Sequence, residues 1–120
     1  MSKKELGQAR RFRAQMPGRS RLFASVVSLG EMLEGTDCPT EVERELERLV
    51  SLLGLHQPQA RRAGLMQRRA RASGARLGEN DAWIAATASL AKLTLVGDDD
   101  RAFAGRPGLA YINFRRGTAD

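Results

Sequence analysis

Cysteine is nearly missing from this chain of 120 residues: Cys38 is alone, so no internal disulfide can form. That usage suits a reducing compartment, and a cytoplasmic protein is expected. The one histidine, His56, stands beside an apolar segment and reads as structural rather than as a ligand. Aromatic residues make up only 5% of the chain, too few for base stacking to be the main grip on a nucleic acid. No apolar run approaches the ~18 residues of a membrane span, and no signal-peptide pattern opens the sequence. No membrane association is expected.

What is present suits a globular protein. Hydrophobic residues make up 42% of the chain, and its length gives room for one domain, residues 1–120, with a modest core. Lysine and arginine number 20 against 14 acids, a net charge of +6 that points to a polyanionic partner. Arginine dominates in two groups: Arg10, Arg11, Arg13, Arg19 and Arg21, then Arg61, Arg62, Arg68, Arg69, Arg71 and Arg76. Guanidinium groups pair with phosphate in a bidentate way that lysine cannot match.

Hydrophobic spacing suggests alternating elements. Ser2 with Glu5 resembles a capping box for a first helix carrying Leu6, Ala9, Phe12 and Met16 on one face, ended by Pro17 and Gly18. "LFASVVSL", Leu22 to Leu29, reads as a buried strand, followed by a helical turn with Glu31 just past the strand. Thr40 with Glu43 suggests another capping box, and Val42, Leu46, Leu49, Val50 and Leu53 repeat at helical spacing. "LLGLH" holds a candidate short strand. An arginine-rich helix over 59–73 then has Ala60, Ala63, Gly64 and Ala70 as its inner face and Gly74 as its stop signal. A helix over 82–91, a strand "LTLV" and a last strand "LAYINF" complete an α/β layer structure with mainly parallel strands.

The acids share one address in this arrangement. Glu31 follows a strand, Asp81 opens a helix, and Asp98, Asp99 and Asp100 follow the next strand. Strand C-termini and helix N-termini face the same edge of a parallel sheet. Carboxylates gathered there repel one another unless a cation joins them, and hard oxygen donors select Mg²⁺ or Mn²⁺.

"GENDAWIAATA" followed by "LVGDDDRAF" resembles the carboxy-terminal half of PIN-domain ribonucleases, particularly VapC-type toxins of toxin–antitoxin pairs, and "SVVSLGEMLEG" resembles the segment carrying that family's glutamate. The resemblance is strongest over 22–114. It implies a PIN-like three-layer α/β fold, a mainly parallel sheet flanked by helices, with Glu31, Asp81 and Asp100 as catalytic acids. The metal ligands would come from Glu31, Asp81 and one of Asp98, Asp99 and Asp100. Spacing to Phe103 favours Asp100, while spacing from the strand favours Asp99. Ser28 and Asn80 would support the ligands, and Arg61, Arg62, Arg68, Arg69 and Arg76 would track RNA.

The implied activity is metal-assisted hydrolysis of RNA phosphodiesters, with a cognate antitoxin as partner. Two departures matter. Gly97 replaces the family's usual threonine. The strand that opens the family and ends in its first aspartate is not spelled out among the thirty residues before Glu31, so the fold reads as amino-terminally truncated. Loss of a central strand leaves open edges, and a homodimer is expected to cover them. The alternative is a catalytically impaired PIN-like protein that binds RNA, an antitoxin or itself.

Overall fold

A computed structural model of the chain describes residues 21–116, together with positions 7, 10, 11, 14 and 15, which are helical. The expected capping box at Ser2, the stripe of Leu6, Ala9, Phe12 and Met16, and the Pro17–Gly18 stop lie outside the described residues. Contacts divide the chain into two units at Gly54 and Leu55.

The first unit contains β1 (Phe23–Ser25), α1 (Val26–Glu34), α2 (Pro39–Leu49) and β2 (Ser51–Leu53). β1 and β2 are parallel, with Ala24 opposite Leu52. The strand expected over 22–29 stops at Ser25. The Ser25 hydroxyl accepts the Val27 N–H at 3.1 Å and caps α1, so Val26 and Val27 enter a helix despite their β preference. Glu31 therefore lies in the second turn of α1, not just past a strand.

Pro39 occupies the first turn of α2 behind Cys38, so the expected Thr40–Glu43 box gives way to a helix that starts earlier. Val42 and Leu46 face Met32 in a small core bordered by Leu29, Leu49 and Leu52, as the helical spacing of α2 indicates. Arg10, from the first arginine group, pairs with Glu45.

The second unit contains α3 (Gln57–Ala72), α4 (Glu79–Leu90), β3 (Leu95–Gly97), α5 (Asp100–Phe103) and β4 (Tyr111–Asn113), then a 3₁₀ turn at Phe114–Arg116. β3 and β4 are parallel, with Leu95 opposite Tyr111 and Gly97 opposite Asn113. Ala82, Ala85 and Ala86 of α4 are buried with Ala63, Met66 and Ala70 of α3. Methyl-sized side chains allow close approach of helix axes, while Met66, Leu77 and Phe103 fill the volume. Ala60 and Gly64 are exposed, so the inner stripe of α3 is Ala63, Met66 and Ala70 rather than the one expected.

Gly74 does end α3. It has φ +73, its N–H donates to the Arg71 carbonyl, and the Ala75 N–H reaches the Ala70 carbonyl at 2.8 Å. The Gln67 amide then ties down the loop by donating to the Leu77 carbonyl at 2.9 Å and accepting its N–H at 3.1 Å. The chain is thus an α/β protein with parallel strands and helices. Among the described residues no strand precedes β1, β1 pairs only with β2, and β3 pairs only with β4.

Candidate carboxylate site at the ends of β3 and β4

Three consecutive aspartates leave β3, and each has a different partner. Asp98 receives the Arg115 Nε and Nη2 on Oδ2, both at 3.0 Å, in a partly exposed ion pair. Asp99 is the N-cap of α5, its Oδ1 accepting the Ala102 N–H at 3.1 Å. Asp100 is gripped from β4: the Tyr111 hydroxyl donates to Oδ1 at 2.8 Å, and Asn113 Nδ2 donates to the same oxygen at 2.9 Å. Asp98 and Asp99 are exposed, whereas Asp100 is half-buried.

Tyr111 and Asn113 were not among the expected site residues. "LAYINF" read only as a strand, but Tyr111 and Asn113 are two apart and so share one face. Two hydrogen-bonding tips on one face at a strand end were the available signal.

Asp81 is the third residue of α4, with Gly78 as the N-cap, so the helix starts three residues before its expected beginning. A first-turn carboxylate is favoured by the helix dipole. Asp81 leans towards the cap: a Cβ placed on Gly78 would lie 3.4 Å from its Oδ2. Asp81 is half-buried and Asn80 beside it is exposed. In the first unit, Glu31 is exposed on α1, and Ser28 lies one turn earlier on the same helix. The buried serine there is Ser25, which caps the helix.

Four of the five RNA-facing candidates lie on α3. Arg61 and Arg68, seven residues or two helical turns apart, lie opposite the buried stripe of Ala63, Met66 and Ala70, whereas Arg62 and Arg69, spaced alike, run along its flank. Arg61, Arg68 and Arg69 are exposed, as is Arg76 in the following loop. Arg62 differs, because its Nη1 donates to Ser89 Oγ at 2.7 Å and that hydroxyl donates to the Gly108 carbonyl at 2.9 Å.

The donor set bears on a divalent cation in two ways. Asp81 and Asp100 offer hard oxygens, and Asp100 is held in orientation by two donors. Among the described residues no group of three His, Cys, Asp or Glu side chains could enclose a metal ion. Among the described residues no closed protein cage is formed. The compatible mode is that of Mg²⁺, which keeps several waters and uses one or two carboxylates plus substrate phosphate.

The profile of the PIN domain family matches residues 3–108, and the chain belongs to that family. The match takes in the amino-terminal stretch ahead of the strongest resemblance. Its structural neighbours are VapBC toxin–antitoxin complexes. VapBC-1 from nontypeable Haemophilus influenzae matches with a TM-score of 0.75 at 18% identity, over 89% of this chain and 84% of that one. DNA-bound VapBC from Salmonella typhimurium matches at 0.71 and 23% identity, over 86% and 80%. VapBC-5 from Mycobacterium tuberculosis matches at 0.58 and 28% identity, over 74% and 79%. No curated protein sequence matches the chain. No helix among the described residues is long and apolar enough to cross a membrane.

Proposed function

We propose that this PIN-domain protein is a VapC-type toxin that hydrolyses RNA phosphodiesters with Mg²⁺ or Mn²⁺, and that a protein antitoxin is its partner. The reading is carried by one observation: in a chain of this family, Asp100 alone of three adjacent aspartates is held by two side chains of the neighbouring strand. Asp98 and Asp99 are engaged by Arg115 and by the start of α5. The VapBC neighbours support the antitoxin.

Asp100 and Asp81 would hold the ion, and Glu31 is the further acid that the family pattern implies. Such an ion, when bound, lowers the pKa of a water and offsets charge at the phosphoryl group. The exposed arginines of α3 would hold the RNA backbone by charge, without reading sequence. Cleavage of single-stranded RNA should require Mg²⁺ or Mn²⁺ and stop with EDTA. Asp81→Asn and Glu31→Gln should each lower the rate by orders of magnitude. Cleavage that persists in EDTA, or survives both substitutions, would refute the reading.

A second reading, a binding module with impaired catalysis, is favoured by the lack of any three-residue metal-binding group among the described residues. RNA binding without cleavage by the clean parent protein would select it. Self-association is proposed under either reading. Among the described residues β1 pairs only with β2 and β3 only with β4, and unpaired strand edges recruit another chain. Sedimentation should find a dimer at micromolar concentration, and a stable monomer would contradict this.

A further inference from the structure

We propose that Tyr111 and Asn113 are positioning residues that aim the Asp100 carboxylate at a divalent cation, an inference that rests on the metal-dependent reading above. Both donors converge on one oxygen, Oδ1, at 2.8 and 2.9 Å. An aspartate left to itself turns broadly about its last torsion. Two donors on Oδ1 fix the plane of the carboxylate, and with it the direction of Oδ2.

The donors are themselves held. The Tyr111 ring packs on buried Phe103 with centroids 5.8 Å apart and planes tilted by 40°. The Asn113 amide is pinned at its other end, because the Arg115 N–H donates to its Oδ1 at 2.9 Å. With its oxygen taken by a backbone donor, the amide must present its NH₂ to Asp100, so its orientation follows from the network. Arg115 acts twice. Its backbone orients Asn113, while its guanidinium draws Asp98 away at 3.0 Å. Partners that orient a ligating carboxylate contribute to metal affinity although they never touch the metal.

The competing explanation is that these bonds only fasten α5 to β4. A fastening would affect stability and leave cation binding alone. The test is Mn²⁺ titration followed by electron paramagnetic resonance on the full chain, with thermal unfolding in parallel. The variants are Tyr111→Phe, which keeps the ring on Phe103, and Asn113→Ala, with Asp100→Asn and Asp98→Asn as references. The proposal expects Tyr111→Phe and Asn113→Ala each to weaken Mn²⁺ binding by about tenfold or more. Asp100→Asn should abolish the site, and Asp98→Asn should match the parent.

Parent-like Mn²⁺ affinity in both Tyr111→Phe and Asn113→Ala, beside loss in Asp100→Asn, overturns the positioning role and leaves the metal reading standing. This holds even if their melting points fall. A parent protein that binds no Mn²⁺, or an Asp100→Asn variant that binds it as the parent does, overturns both.

Discussion

Asn113 stands opposite Gly97 in the parallel register of β3 and β4, so the residue ending one strand lies beside the turn that carries the aspartates. The glycine is not demanded by its backbone, since its φ lies outside the left-handed region. A Cβ there would meet Tyr111 Cε1 at 3.7 Å and Phe103 Cδ2 at 3.9 Å, ordinary packing distances. Gly97→Ala should be neutral or stabilise the fold by about 0.5 kcal/mol, through lower entropy of the unfolded chain. Urea unfolding checks this. A loss above about 1 kcal/mol would mean that the two rings cannot accept the methyl group.

Asp99 has a capping role that separates it from its neighbours. Asp99→Ala should cost about 1 kcal/mol, whereas Asp99→Asn should cost little, because asparagine caps nearly as well. Thermal unfolding of the two variants side by side gives the answer. Equal losses would remove the cap from the account.

Lys92 has φ +57 at the end of α4, where its N–H reaches the Ser89 carbonyl at 3.2 Å and the Leu93 N–H reaches that of Ala88 at 2.9 Å. This is a helix stop that favours glycine, and the Cβ of Lys92 is strained there. Lys92→Gly should raise stability by about 1 kcal/mol, read from the urea midpoint at constant slope.

The arginines of α3 should divide by structure. Arg61→Ala, Arg68→Ala and Arg69→Ala should each reduce the salt dependence of single-stranded RNA binding, by about 0.7 in the log–log slope for each phosphate no longer neutralised. Their melting points should stay near that of the parent, since all three are exposed. Arg62→Ala should also lower the melting point, because it frees Ser89 from its bond to α3. Fluorescence anisotropy at several salt concentrations, with melting curves, tests both halves.

Helical periodicity made part of the fold legible: Val42 and Leu46 on α2 are buried as their spacing indicates. Boundaries were less legible. Val26 and Val27 look like a strand by residue type, yet one hydroxyl at Ser25 starts a helix ahead of them. The face of α3 also misled, because Met66 takes a core place that a run of small residues suggested for Gly64. In the candidate site, the acids stood out by type and position. The difference among Asp98, Asp99 and Asp100 did not, because it depends on β4 and Arg115, eleven to seventeen residues away in the chain. No local pattern within "GDDDRAF" encodes those partners.

The central claim is that Asp100, alone of the three consecutive aspartates, does the work of the site. The most direct measurement is the single-turnover RNA cleavage rate of Asp98→Asn, Asp99→Asn and Asp100→Asn at one saturating Mn²⁺ concentration. The account predicts that Asp100→Asn falls by about a thousandfold or more, the loss of several kcal/mol of transition-state stabilisation. It predicts that the other two stay within a few-fold of the parent. A parent-like rate for Asp100→Asn, or an equal loss in Asp98→Asn or Asp99→Asn, would contradict it.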